Sequence, residues 1–252
     1  MKNAGTLENL LAREMADPIS GEGGFNIVDL SGGSQVLGHD HETPRLMAST
    51  TKLFTIGAAL EQLGADYTPA SQPTTGPDEP DTLLSLLIKA GHDSHNASAA
   101  AVTKLLAAQQ RAKRPITEYA RRHGADIRIV NGSGLGDKNR CSPAAITNFL
   151  ASVKRAPYWS DFTQTLPRAG ADGTLRLRMR NTLASETVRA KTGTLNRMAD
   201  GVRKPLQDSL AGYVFGRSRT VAFCIMLERA ESRYAAHASI DRMVDAIAHY
   251  CD

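Results

Sequence analysis

Ala48-Ser49-Thr50-Thr51-Lys52-Leu53-Phe54-Thr55-Ile56-Gly57-Ala58-Ala59-Leu60-Glu61-Gln62-Leu63 is the stretch on which the reading of this chain turns. It reads as a helix from Ser49 to Leu63, apolar nearly all round at Leu53, Phe54, Ile56, Ala58, Ala59 and Leu60, with Gly64 as its stop. A helix without a polar face belongs in a core. The lysine near its start therefore has little surface to reach, and the serine three positions earlier stands on the same face, one turn away. Ser-x-x-Lys alone occurs by chance about once in a chain this long, so its weight depends on what surrounds it.

Working outward, Leu7, Leu10, Leu11 and Met15 lie at helical spacing and predict a first helix over residues 6–16. Strands at 25–30 and 35–38 flank the hairpin turn Ser31-Gly32-Gly33-Ser34. Residues 67–81 carry Pro69, Pro73, Pro77 and Pro80 and read as an exposed linker, after which helical segments fill roughly 82–124 and 142–165. The last third changes character. Strands are expected at 186–190, 210–215 and 220–227, then a closing helix over 232–250 with Ile240, Met243, Val244 and Ile247 on one side. No internal repeat is visible. Strands at both chain ends around a helical middle predict an α+β fold: one antiparallel sheet flanked by the N- and C-terminal helices, with an inserted all-helical lobe. The sheet lobe would comprise residues 1–48 and 166–252, the helical lobe 49–165, and the active-site cleft would lie between them.

Bulk properties narrow the function. The 252 residues are 41% hydrophobic and 22% charged, an ordinary globular composition. No apolar run approaches the ~18 residues of a membrane span, and the net charge of +4 is dispersed rather than massed as a nucleic-acid footprint. The N-terminal segment lacks the apolar stretch of a secretory signal, which predicts either an intracellular protein or a chain that begins after cleavage. Cys141, Cys224 and Cys251 are odd in number and widely spaced, so no disulfide framework follows; Cys224, inside the apolar run Val221 to Leu227, reads as a buried small side chain. His39-Asp40-His41 lacks a His-Glu-x-x-His partner and reads as a polar turn rather than a metal pair.

Two further motifs join Ser49 and Lys52. Ser94-His95-Asn96 precedes an Ala-rich helical stretch; taken alone it would be a helix cap, opened by Asp93 or Ser94. Lys191-Thr192-Gly193-Thr194 continues the strand that begins near Val188, and alternation sets Lys191 and Gly193 on one face and Thr192 and Thr194 on the other. A glycine inside a strand marks close approach of another backbone, here expected to be the substrate's. The chemistry suits serine acyl transfer. A serine hydroxyl needs a neighbouring base, and Lys52 can serve if burial and a second cation, Lys191, depress its pKa. Ser94 would pass a proton to the leaving amine, and Asn96 would hold Lys52 and a substrate amide carbonyl. The amides of Ser49 and Thr194 would meet the oxyanion, while Lys191, Thr192 and Thr194 would attract a carboxylate. Neither metal nor organic cofactor is required.

The triple of Ser-x-x-Lys, Ser-x-Asn and Lys-Thr-Gly resembles the signature of class A β-lactamases and penicillin-binding proteins. Residues 48–63, Val130-Asn131-Gly132-Ser133-Gly134-Leu135, Leu166 to Leu175 and Val188 to Asn196 are more specifically similar to the penicillin-binding D-alanyl-D-alanine carboxypeptidase/endopeptidase family. That resemblance implies a penicilloyl-serine-transferase fold, an acyl-enzyme on Ser49, acylation by β-lactams, and a peptidoglycan stem peptide ending in D-Ala-D-Ala as substrate, in the periplasm or extracellular envelope. Two departures stand out. The serines at 49 and 94 are too close for the large extra domains this family usually carries between them, and an insert, Arg197 to Asp208, follows Asn196 where the family turns directly into the next strand. A class A lactamase would place a Glu-x-x-x-Asn loop between Asn96 and Lys191, and none is present, so lactamase activity is expected to be slow. A non-hydrolytic β-lactam sensor and a biosynthetic transacylase or peptide cyclase are the other readings of the same site.

Overall fold

Strands from the two ends of the chain meet in one sheet in the computed structural model, which describes residues 4–69, 82–109, 114–199 and 201–252. In chain order, α1 (Ala4–Ala16) leads to β1 (Glu22–Asp29), β2 (Gln35–His39) and the short β3 (Arg45–Leu46). A single 3-10 turn, Ala48–Thr51, opens α2 (Lys52–Leu63). The helices α3 (Leu83–His92), α4 (Asn96–Gln109) and α5 (Pro115–Arg122) follow, then β4 (Arg140–Cys141), α6 (Pro143–Val153) and α7 (Trp159–Gln164). The chain closes with α8 (Ala184–Thr187), β5 (Val188–Ala199), β6 (Val202–Phe215), β7 (Thr220–Glu228) and α9 (Arg233–Cys251). The sheet runs β2-β1-β7-β6-β5 with every neighbour antiparallel, and β3 pairs with β4 in a separate ribbon.

Both faces of this sheet are covered, and β7 shows how. Phe223, Ile225 and Leu227 join Leu7, Leu11, Ile240, Met243, Val244 and Ile247 in one apolar cluster, under α1 and α9. The alternate residues Ala222, Cys224 and Met226 join the opposite cluster with Phe149 and Leu150 of α6 and the core of α2. Two buried faces turn a strand into a continuous apolar run, which is why Val221 to Leu227 reads as it does. Small side chains on the α6 side let that helix sit close; Tyr213 donates to the Leu150 carbonyl at 3.0 Å and Asn26 to Thr147 Oγ1 at 2.6 Å. All three cysteines are buried and free.

The helix α2 is enclosed as its composition predicts, with every residue from Lys52 to Leu60 buried. Phe54 packs on Phe149 with ring centroids 4.2 Å apart and the ring planes tilted by 33°. At its C-terminal end Glu61 accepts from Arg122 and from His123 Nε2, both at 2.6 Å, and His123 Nδ1 meets Ser152 Oγ at 2.8 Å, tying α2 to the end of α5 and to α6.

Three expectations change. The helix expected from Ser49 begins as a 3-10 turn, because Ala48 is held in the left-handed region at φ 48° and Thr50 N–H turns back to the Met47 carbonyl at 3.1 Å. The strand expected from Glu186 starts at Val188, since Ala184–Thr187 closes a helical turn first. The insert after Asn196 is an extension of the β5–β6 hairpin: Asn196 pairs with Pro205 and Arg197 with Lys204. Pro205, which cannot donate to a ladder, stands where the register shifts between Leu195 and Asn196. The proline-rich linker lies outside the described residues from residue 70 onward.

Replacing Phe54 by Ala should destabilise the protein by about 3–5 kcal/mol in denaturant titrations, because Phe149 would be left facing a cavity.

Candidate active site

The tight turn at the head of α2 brings Ser49 and Lys52 together. Side chains at i and i+3 eclipse in a 3-10 turn, and Lys52 Nζ lies 2.9 Å from Ser49 Oγ. The left-handed Ala48 is locked from outside: Gly134, itself at φ 79°, packs so closely that a Cβ there would overlap the Ala48 carbonyl. Backbone strain of this kind persists only where neighbours over-determine it.

Lys52 is fully buried and has no carboxylate partner among its contacts. Its Nζ instead faces three oxygens: Ser49 Oγ at 2.9 Å, Asn96 Oδ1 at 2.8 Å and the Ser133 carbonyl at 2.6 Å. These match the three donors of an ammonium. Burial lowers the Lys52 pKa to about 8. The amide and carbonyl oxygens of Asn96 and Ser133 can only accept. When Lys52 loses a proton, its two remaining N–H groups satisfy them and its lone pair is left pointing at the one neighbour that can donate, the Ser49 hydroxyl. Burial is the cause at Lys52, and the repulsion between the two buried lysines falls on Lys191.

Lys191 is buried too, and its pKa lies well below the usual value through burial first and the Lys52 charge second, opposed by Asp93. Asp93, which lies in the α3–α4 turn beside Ser94, is near enough for its charge to act on Lys191. The Lys191 ammonium donates to the Thr192 carbonyl at 3.0 Å. Gly193 does mark a close approach, but of the protein itself: a Cβ there would overlap Ser209 Oγ and crowd the Met47 carbonyl and Thr50. The edge strand β5 is thus pressed against the nucleophile's own turn. On its other side the Thr192 hydroxyl donates to Thr174 Oγ1 at 2.9 Å and the Thr194 hydroxyl to Asp208 Oδ1 at 3.0 Å.

Ser94 takes a left-handed conformation, φ 56°, between α3 and α4. The cap that the motif taken alone would give to Asp93 or Ser94 is supplied by His95, whose Nδ1 accepts the Ser98 N–H at 3.3 Å. Ser94 is thereby relieved of that duty, and Asn96, the first residue of α4, reaches Lys52.

Sequence reasoning missed Asn139, buried at 2% exposure. It accepts from Val130 N–H at 2.9 Å and donates to the Asn131 carbonyl at 2.7 Å and Thr51 Oγ1 at 3.1 Å. It binds the loop that carries Ser133 to the turn that carries Ser49. No local pattern announces such a residue. Thr174 and Ser133 were legible only as members of stretches that carry the family resemblance. In the His39-Asp40-His41 turn, the Asp40 carboxylate is taken by Arg45 and Thr43.

The model of the D-Ala-D-Ala carboxypeptidase 3 (S13) family matches residues 7–77 and 79–250, breaking inside the proline-rich linker. A D-alanyl-D-alanine carboxypeptidase of Actinomadura sp. (strain R39) is 33% identical over 107 residues, 40% of this chain but only 18% of that protein. The match therefore spans less than a fifth of that relative's length. A β-lactamase from Chitinophaga pinensis superposes with a TM-score of 0.76 at 16% identity, covering 100% of both chains. Penicillin-binding protein 4 from Haemophilus influenzae, solved with a β-lactam, gives 0.73 at 14% identity, covering 99% of both. At these identities the likeness is one of fold, and it is the β-lactamase/penicillin-binding-protein fold expected from the three motifs.

Replacing Asn139 by Ala should cost about 2–4 kcal/mol, because several buried backbone and hydroxyl groups lose their partner together; a fall in melting temperature larger than that of Thr103→Ala is the readout.

Proposed function

Because this chain belongs to the D-Ala-D-Ala carboxypeptidase 3 (S13) family, we propose that it is a serine D,D-peptidase that cleaves peptidoglycan stem peptides ending in D-Ala-D-Ala through an ester on Ser49 and that β-lactams acylate the same serine. One observation carries the reading: a buried lysine with no carboxylate partner among the described residues, which there meets a serine hydroxyl at 2.9 Å.

In this mechanism Ser49 Oγ gives its proton to neutral Lys52 and attacks the carbonyl between the two D-alanines. The negative charge that develops on that oxygen is met by the amides of Ser49 and Thr194, fixed dipoles that need no reorganisation as the charge forms. As the edge strand, β5 pairs on its outer side with residues 167–169 only as far as Ala190, which leaves the strand beyond that point open to docking of an extended substrate. Collapse of the tetrahedral species breaks the C–N bond, and the proton held by Lys52 passes through Ser94 to the departing amine. Asn96 holds the substrate amide as well as Lys52, and the electropositive surroundings of Lys191, with Thr192, receive the terminal carboxylate. Water then retraces the path, Lys52 again taking a proton, and frees the shortened peptide. Within the protein the protons move only among Ser49, Lys52 and Ser94, and pass from there to the departing amine or come from water. The family's association with the cell envelope supports a reaction there, and among the described residues no helix is long and apolar enough to cross a membrane.

Intact-mass spectrometry after incubation with benzylpenicillin should show one adduct, mapping to Ser49 and absent from Ser49→Ala; an adduct that persists in the variant would assign the nucleophile elsewhere. Release of D-Ala from a stem-peptide analogue by the wild type would separate a peptidase from a sensor that only binds covalently. The pH dependence follows from Lys52. Its neutral form is the base, so the acylation rate constant should rise about tenfold per unit below pH 8 and level off above it, with the inflection at about 8. Lys52→Arg, which stays protonated throughout this range, should lower acylation by about 10³-fold or more at every pH.

A further inference from the structure

A cavity of about 250 Å³ opens between α4, the start of α5 and the segment Arg128 to Gly132. None of the catalytic side chains lines it. Its walls are apolar, from Ala107, Ile116, Ile129 and Val130, and its charged lining among the described residues is two arginines, Arg114 and Arg128, with no acidic side chain beside them. Val130 is 50% exposed although Ile129 before it is buried, so a large apolar side chain stands at the opening. Among the described residues neither arginine has an ion-pair or hydrogen-bond partner. At the far end of the same helix α5, by contrast, Arg121 holds Asp126 and Arg122 holds Glu61. A guanidinium left unpaired beside an apolar hollow keeps its planar fork of donors for a ligand.

The cavity is held in shape by the protein alone. Thr117 Oγ1, itself buried, accepts the Ile129 N–H at 3.0 Å and pins α5 to the segment. Val130 N–H and Asn131 N–H are both directed at Asn139 Oδ1, at 2.9 and 3.4 Å. At Gly132 a Cβ would overlap Thr103 Oγ1 of α4 and Thr55 Oγ1 of α2, and the Gly132 carbonyl accepts from Thr55 at 2.8 Å. A segment fixed from three sides does not collapse into the hollow, so a ligand entering it meets a site already formed. The segment runs directly into Ser133, whose carbonyl holds Lys52, yet the lining shares no residue with the catalytic groups.

We propose that this cavity is a second ligand site, which binds a small organic anion: a carboxylate or sulfonate held by Arg114 and Arg128 on an apolar body packed against Ile116, Ile129 and Val130. Planar, forked guanidiniums match the two oxygens of such an acid. The volume equals that of about eight waters and lies just below the ~300 Å³ at which ligand pockets usually begin, which limits the body to one or two rings. The site does not depend on which serine is acylated.

Isothermal titration of the full chain with indole-3-propionate, and with indole-3-propionamide as its neutral counterpart, tests the proposal. The acid should bind at least about tenfold more tightly than the amide, and raising the ionic strength should weaken the acid alone. Arg114 and Arg128 are exposed, so Arg114→Gln and Arg128→Gln should keep wild-type melting behaviour; the double variant should bring the acid down to the affinity of the amide. Ala107→Trp fills the cavity while leaving both charges, and should abolish binding of acid and amide alike. Binding of the acid should persist after incubation with benzylpenicillin has acylated Ser49. Equal affinities for acid and amide, or an unchanged acid affinity in the double arginine variant, overturn the proposal. Binding retained in Ala107→Trp would place the anion on surface arginines rather than in the cavity, and binding abolished by acylation would place it in the cleft; either result refutes the site. The arginine variants decide the proposal even if benzylpenicillin leaves Ser49 unmodified.

Discussion

Everything about the site follows from burying the ammonium of Lys52 where no carboxylate reaches it. A cation so placed is costly unless its donors are satisfied and its charge can be shed. The fold answers with three oxygens in place of an anion, one each from α2's own turn, from the start of α4 and from the loop before β4. An anionic partner would have held the lysine protonated. Neutral acceptors leave its pKa at about 8, within reach of use as a base. Stability and reactivity are therefore set by the same choice of neighbours.

That choice requires pieces from distant parts of the chain to close tightly on one turn. Gly134 lies on the Ala48 carbonyl, Gly193 on Met47 and Thr50, and Asn139 spans the space between Thr51 and the Asn131 carbonyl. The glycines here make room for other backbones rather than for the substrate. Because β5 is the edge of the sheet, it can press one side on the nucleophile's turn and still present unpaired backbone groups to a ligand. A second buried lysine, Lys191, on that strand adds positive potential, and its own pKa is depressed partly by the first.

In the β5–β6 hairpin the pairing past Asn196 is regular except at Pro205, and Asp208 comes to face Thr194. The adjoining α9 supplies His237 to the same carboxylate oxygen that accepts from the Thr194 hydroxyl.

Composition and spacing alone determined the enclosed helix, since residues 53–60 have no polar face to expose; the two-sided burial of β7 from its unbroken apolar run; and the juxtaposition of Ser49 with Lys52, since a three-residue interval is short enough to be mechanical. Sequence also grouped the three motifs, through their order and their resemblance to a known family. Only the tertiary structure decided which atoms complete the Lys52 shell, because a Ser133 carbonyl has no side-chain signature, and that Asn139 holds the loop, because its partners lie as far away as Thr51. It alone showed that His95 rather than Ser94 caps α4, and that Asp208 accepts from the Thr194 hydroxyl. Local spacing fixes what a residue can reach along its own helix or strand; which strand register or loop then arrives opposite it is set by packing of the whole chain, and the proton bookkeeping of this site is written at those meetings.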